Sequence, residues 1–183
     1  MKQQIKTALI SVSDKTDLSK ILKKLKKFKV KIISSGGTYK FIKKLGYNCT
    51  ELAAYTGFKE MLDGRVKTLH PKIHAGILNK RNNKLHNQDL KKYNFKNIDL
   101  VVVNFYPFEE TLKNSFNHKK IIENIDIGGP TMVRAAAKNY NDVAVITSKS
   151  QYNDLINEMV KFKGSTSQDF RKKMSQIAFT ETA

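Results

Sequence analysis

The sequence predicts an α/β fold: a doubly wound, mainly parallel sheet flanked by helices in a Rossmann-like three-layer arrangement. Three observations predict it. Short apolar runs rich in β-branched residues alternate along the chain with longer amphipathic segments, the pattern of strands joined by crossover helices. The clearest of the runs, IDLVVVNF (98–105), is continuously apolar, as a buried strand should be. Stretches rich in Ser, Thr, Gly and Lys follow the strands, where parallel sheets bind ligands.

The elements follow in order. IKTALISV (5–12) reads as the first strand, and DLSKILKKLKKF places Leu18, Ile21, Leu22, Leu25 and Phe28 at helical spacing with Lys on the other face. VKIIS (30–34) is a second strand ending in SGGT, YKFIKKLG a short helix closed by Gly46, and NCTEL a short third strand. Residues 53–80 are read as irregular, because Gly57, Gly64, Pro71 and Gly76 interrupt any long period. KLHNQDLKKYNF is a surface helix, IDLVVVNF the central strand, and HKKIIENI a helical stretch leading into DIGGPTMVRAAAKN, where Gly-Gly-Pro opens a run of strong helix formers. DVAVIT (142–147) is read as the last strand, with helices over SQYNDLINEMVKF and SQDFRKKMSQIAFTETA.

At 183 residues the chain fits one domain with a proper core, and 40% hydrophobic residues exclude a disordered tail. No apolar run approaches the ~18 residues of a membrane span. The N-terminal apolar run is too short for a signal peptide and no small-residue cleavage site follows it, so a cytoplasmic location is expected. The single Cys49 excludes an internal disulfide framework and a Cys-based zinc site. A net charge of +18 points towards polyanions, but only 4 of the 34 basic residues are Arg. Asn is frequent beside Lys, as low GC content would produce without selection for nucleic acid. Lys also lacks the bidentate fork that base readers favour. The Lys run 23–27 is read as a solvated helix face, and no nucleic-acid partner is expected.

Five motifs carry chemistry. SSGGT (34–38) lets the backbone turn tightly after a strand and aim N–H groups at an anion, with Ser35 and Thr38 adding hydroxyls. It is neither a dinucleotide fingerprint nor a Walker loop. SVSDKT (11–16) sits likewise after the first strand, where Ser13, Asp14 and Lys15 either meet a polar ligand or cap a helix. GRVKTLHPKIH offers Arg65 as a fork and Lys67 as a point charge on one side of an extended segment. His70 and His74 are spaced i, i+4, but Pro71 and the missing Glu of a zincin motif argue against a metal. NFYPF (104–108) places Asn104 and Tyr106 at a strand end. In DIGGPTMVRAAAKN, Asp126 precedes a helix start, and Arg134 and Lys138 share one helix face. An acid at a helix N-terminus is lowered in pKa, and a Lys desolvated beside other cations is drawn towards neutrality, where it exchanges protons. Together these motifs suggest a site for a phosphorylated small molecule.

In order and spacing, LISVSDKT, SSGGT, TGFKEMLDGRVKTLHPKIHAGIL, NFYPF and IDIGGPTMVRAAAKN resemble the IMP cyclohydrolase domain of the bifunctional purine-biosynthesis enzymes that also carry an AICAR transformylase domain. The resemblance covers nearly the whole chain and implies a methylglyoxal-synthase-like fold. It implies ring closure of the formamido-imidazole-carboxamide ribonucleotide FAICAR to IMP with loss of water, a cyclic-amidine hydrolase reaction needing no metal or organic cofactor. By the same resemblance Ser13, Asp14, Lys15, Ser35, Gly36, Gly37, Thr38, Arg65, Thr68, Asn104, Ile127 and Gly128 would bind the nucleotide, and Lys67, Tyr106, Asp126 and Lys138 would be catalytic. Lys138 paired with Asp126 is expected to shuttle protons, with Lys67 and Tyr106 or backbone N–H groups at the oxyanion. Asp17 departs from the family, which usually has Gly after SDKT. The chain stops at AFTETA, where the family runs on, so transformylase activity is expected to be absent and homodimerisation to be open. The competing readings are a methylglyoxal-synthase-like regulatory module that binds phosphate or nucleotide without chemistry, and a basic nucleic-acid-binding domain.

Overall fold

The computed structural model describes residues 1–105 and 117–183. A five-stranded parallel sheet runs β4-β3-β2-β5-β6, built from β2 (Thr7–Val12), β3 (Lys31–Ser34), β4 (Thr50–Glu51), β5 (Leu100–Asn104) and β6 (Ala144–Ile146). The chain leaves β2 towards β3 and β4, then crosses back to place β5 and β6 on the other side. The order therefore reverses between β2 and β5, the switch point at which doubly wound sheets open a crevice. Leu9 pairs with Val101 and Val12 with Asn104 across that junction, so the ends of the two strands stand level.

Helices flank the sheet because each has one apolar stripe. In α1 (Leu18–Lys27), Leu18, Ile21, Leu22 and Leu25 are fully buried at the i, i+3, i+4, i+7 spacing, while Lys23, Lys26 and Lys27 face solvent. Burying each such side chain is worth roughly 1.5–3 kcal/mol. Asp17, before α1, has φ 60, the left-handed region in which glycine is unstrained.

α2 (Gly36–Lys44) starts at the glycines rather than at Tyr39, so the pair forms the first helical turn instead of a loop before it. Residues 53–80 prove more regular than expected. α3 (Leu52–Thr56) is closed by Gly57, and α4 (Pro71–Leu78) begins at Pro71. Pro at the first helical position lacks only an N–H that would be unpaired anyway, so it starts this helix rather than breaking it. His70 caps α4, its Nδ1 accepting from Lys72 N at 3.1 Å. α5 (Lys84–Lys92), α6 (His118–Glu123), α7 (Gly128–Lys138), α8 (Tyr152–Lys161) and α9 (Gln168–Glu181) complete the set, α7 packing on β5 and β6 and α9 on α7. β6 is followed by one strand that the sequence pattern does not reveal. β7 (Ser165–Thr166) pairs antiparallel with β1 (Gln3–Gln4), which ties the two ends of the chain together.

At the N-terminal ends of the strands, buried polar groups are held by backbone. Asp99 accepts from Lys6 N and Thr7 N at 3.0 Å each, and Asn139 Nδ2 donates to Ile77 O and Asn79 O at 2.8 and 2.9 Å. Arg171 is 1% exposed and donates from Nε to Tyr140 O, from Nη1 to Thr166 O and Oγ1, and from Nη2 to Met1 O and Asn141 O. All five of its N–H donors are thereby used. No helix among the described residues is long and apolar enough to cross a membrane.

Candidate active site

At the C-terminal ends of β2, β3 and β5 lies a pocket of about 130 Å³, lined by Ser11–Ser13, Lys15, Ser35–Thr38, Lys67, Asn104 and Asp126. A second pocket of about 250 Å³ adjoins it, sharing Ser35, Gly36 and Lys67 and continuing past Leu52 and Phe58. Two cations bracket the two glycines. Lys67 Nζ lies 4.0 Å from where a Cβ on Gly36 would stand, and Lys15 Nζ 3.9 Å from where one on Gly37 would stand. Lys15 Nζ also donates to Ser13 O at 3.1 Å. Among the described residues neither ammonium joins an ion pair. Two unneutralised ammoniums beside the first turn of a nine-residue helix make a cradle for an anion of phosphate size.

The remaining predicted residues divide by where their side chains go. Thr38 is buried and its hydroxyl is spent on β2, accepting from Val12 N at 3.0 Å and donating to Val12 O at 2.9 Å. It fastens α2 to the strand and leaves ligand contact to backbone N–H groups. Asp14 does not line the pocket: its carboxylate pairs with Lys149 at 2.8 Å and accepts from Thr16 N at 2.8 Å. Lys149, then Thr16, hold the Asp14 carboxyl well below the usual carboxylate range. Asn104 turns its amide onto the loop after β2, accepting from Ser13 N at 2.6 Å and Asp14 N at 3.0 Å and donating to Asp14 O at 2.8 Å.

On the opposite wall, Thr68 is buried against the start of α7, where a Cβ on Gly128 would collide with Thr68 Oγ1. Asp126 Oδ1 accepts from Gly129 N at 2.8 Å, and a Cβ on Gly129 would collide with that carboxylate. Gly-Gly is needed here for close approach. Ile127, just before α7, is 58% exposed. Arg65 is exposed and pairs with Glu123 of α6 at 3.5 Å, outside the pocket lining.

Lys138 is not brought to Asp126. It is the last residue of α7, exposed to solvent, while Asp126 precedes the helix. Ten steps of 1.5 Å put Lys138 about 15 Å along the axis from Gly128, beyond the reach of a lysine side chain. Its predicted pairing and desolvation are both corrected. Arg134, on the same face, is engaged with Thr182 and the Phe179 ring of α9. Tyr106 lies outside the described residues. His74 and His70 hold no metal cluster with neighbours; among the described residues no group of three or more His, Cys, Asp or Glu could bind one. Lys149 is the residue at this end that the sequence reading missed; a single Lys in a surface loop carries no signal of its partner.

Comparison with known proteins gives this geometry a family. The profile of the MGS-like domain matches residues 17–131, which include both glycine pairs, Lys67 and Asp126. The chain belongs to the MGS-like domain family. Beyond that match, the profile of the AICARFT/IMPCHase bienzyme covers residues 136–183 of this MGS-like protein. It is 54% identical over 178 residues to the bifunctional purine biosynthesis protein PurH of Prochlorococcus marinus (strain NATL2A), with 96% of the chain aligned. It is 45% identical over 181 residues to the protein of the same name from Bradyrhizobium diazoefficiens. The chain spans about a third of the length of these relatives, 34% in each case. The crystal structure of ForH superposes with a TM-score of 0.84 over 96% of this chain and 92% of that one, at 26% identity. The parallel sheet, the strand order and the pocket at the switch point accord with the MGS-like fold.

Proposed function

We propose that this chain is an IMP cyclohydrolase of de novo purine biosynthesis, closing FAICAR to IMP. The observation that carries the reading is the joining of Lys15, the Gly36–Gly37 helix start, Lys67 and Asp126 around one pocket at the β2–β5 junction. The relatives named as bifunctional purine biosynthesis proteins support it.

In this reading the 5′-phosphate sits on the N–H groups of α2 beside Lys15, and the imidazole extends towards Lys67 and Asp126. The carboxamide nitrogen attacks the formyl carbon, forming the new C–N bond as it loses one proton. The formamido nitrogen loses the second proton as the C–O bond breaks. The former formyl oxygen takes up both and leaves as water. Lys67 offsets the charge on that oxygen and gives it a proton, and Asp126 takes the carboxamide proton. Holding the two reacting groups of one molecule face to face lowers the entropic part of the barrier. Tyr106, two residues beyond Asn104, is a further catalytic candidate by resemblance. No metal or organic cofactor enters the scheme. The substrate is a cytoplasmic metabolite and no nucleic-acid partner is invoked; pairing into a homodimer is compatible with it.

The test is an absorbance assay of FAICAR conversion by wild type, Lys67→Ala and Lys138→Ala. Loss of one preorganised charge at a developing oxyanion costs about 10²–10³ in kcat, the expectation for Lys67→Ala. From the geometry of α7, Lys138→Ala keeps turnover within about threefold. Its loss with folding intact would require Lys138 to act from another copy or after movement of the helix. A folded wild type that binds IMP and does not turn over FAICAR would favour the regulatory-module reading. Binding to nucleic acid that falls steeply with salt and ignores Lys67 would favour the basic-surface one.

A further inference from the structure

The loop Ser13–Asp14–Lys15 has no regular structure of its own, yet it presents one of the two cations of the anion cradle. It is gripped from two sides. From inside, Asn104 at the end of β5 accepts from Ser13 N at 2.6 Å and Asp14 N at 3.0 Å on Oδ1 and donates from Nδ2 to Asp14 O at 2.8 Å. From outside, Lys149, in the short 3₁₀ turn after β6, pairs with the Asp14 carboxylate at 2.8 Å. Thr16 N on the other Asp14 oxygen closes a tight turn within the loop.

Both accepting sites of the Asn104 oxygen are filled by the loop, and Asp14 faces away from the pocket. We propose that Asn104 and Lys149 are positioning residues: they fix the Ser13–Lys15 loop, through its backbone and through Asp14, in the conformation that holds Lys15 over Gly37. Asn104 and Asp14 thereby act on the ligand through Lys15. The two grips are unequal. Three hydrogen bonds from a strand end fix backbone, whereas an ion pair whose partners are each about half exposed, 52% and 45%, is screened by water and salt. Asn104 therefore sets the loop and Lys149 trims it.

The identity of the ligand rests on the cyclohydrolase reading; the loop's rigidity does not, so the experiment is begun on ligand-free protein. Amide hydrogen exchange at Ser13 and Asp14 is measured in wild type, Asn104→Leu, Asn104→Asp and Lys149→Ala, followed by calorimetric binding of IMP and the KM and kcat for FAICAR. Asn104→Leu is expected to speed exchange at both amides at least tenfold and to weaken IMP and raise KM by a similar factor, with kcat changed less than threefold. Asn104→Asp keeps the acceptor for both N–H groups and is expected to restore most of the protection. Lys149→Ala is expected to raise KM two- to fivefold at low ionic strength and to match wild type at high salt. Wild-type exchange in Asn104→Leu alongside lost IMP binding would overturn the proposal and make Asn104 a ligand contact. So would an Asn104→Asp variant exchanging as fast as Asn104→Leu, or a Lys149→Ala variant unaltered at low salt. If Asn104→Leu fails to fold, Asn104→Asp and Lys149→Ala carry the same test. Absent turnover in wild type would count against the cyclohydrolase reading and leave the exchange result standing.

Discussion

Arg171 and Asp99, at the N-terminal ends of the strands, spend their charged groups within the chain, on backbone groups and, for Asp99, on Arg81 as well, while Lys15 and Lys67, at the C-terminal ends, stand beside a cavity. Arg171 gives five hydrogen bonds to four residues from three segments of the chain. Lys67 faces the start of α2 with no ion-pair partner among the described residues. The difference is one of what completes each charge. At the closed end the chain itself supplies the acceptors, so burial of a cation is tolerated and rigid. At the open end no carboxylate pairs with either ammonium among the described residues, and an anion from solution can supply the counter-charge. The fold thus separates where polar groups hold the structure from where they are left to bind.

The sharpest way to break that comparison is at the closed end. Arg171→Met replaces the stem with similar bulk and orphans acceptors on Met1, Tyr140, Asn141 and Thr166. Leaving buried acceptors without their donor costs about 1–3 kcal/mol each, so a loss of about 3–5 kcal/mol is expected. A fall in unfolding free energy of that size by urea denaturation, with Arg171→Lys in between, is the expected result. A loss below about 1 kcal/mol would mean that water replaces the guanidinium and that this end is not closed.

At the open end the expected effect is on chemistry more than on stability. Gly128→Ala forces a Cβ onto Thr68 Oγ1 and so pushes the segment that carries Lys67 away from α7. Misplacement by about 1 Å can cost around 10²-fold in rate. The expected outcome is a kcat down by about 10- to 100-fold with a Tm changed by only a few degrees. A large loss of Tm with kcat intact would reverse the assignment and make the Thr68–Gly128 contact a structural seam.

The same contrast explains what could be read from the sequence. Lys15, Gly36, Gly37, Asn104 and Asp126 line one pocket because each lies at or just past a strand end or near a helix start, whereas Lys67 reaches it from the irregular segment between α3 and α4. Direction was not legible. Asp14 and Lys15 are neighbours in sequence, yet one turns out to Lys149 and the other stays by the pocket. The pairing of Lys138 with Asp126 rests on resemblance alone: the i, i+4 relation to Arg134 gives a shared face and says nothing of Asp126, and the rise of α7 sets the two about 15 Å apart. α4 is hidden in the sequence because Pro71 interrupts the period there, while in the fold it opens the helix. Arg171 gave no sign at all: a single Arg in an amphipathic helix looks like a solvated residue until the terminal strand pair and the α7–β6 loop close over it.

The smallest effect concerns Asp17, which lies next to the gripped loop in a backbone conformation that suits glycine. Three contributions nearly cancel in Asp17→Gly. Relief of the left-handed backbone at φ 60 gains about 1 kcal/mol. Greater freedom of the unfolded chain takes back ~0.5–1 kcal/mol. The exposed pair with Lys20 at 3.0 Å, lost with the side chain, is worth a few tenths. The net is expected within about 0.5 kcal/mol of zero by urea denaturation, with KM unchanged because Lys15 is held by Asn104 and not by the start of α1. A variant that bound IMP several times more weakly at unchanged stability would show that the left-handed turn at Asp17 also fixes the loop, and the grip on Lys15 would then have a third member.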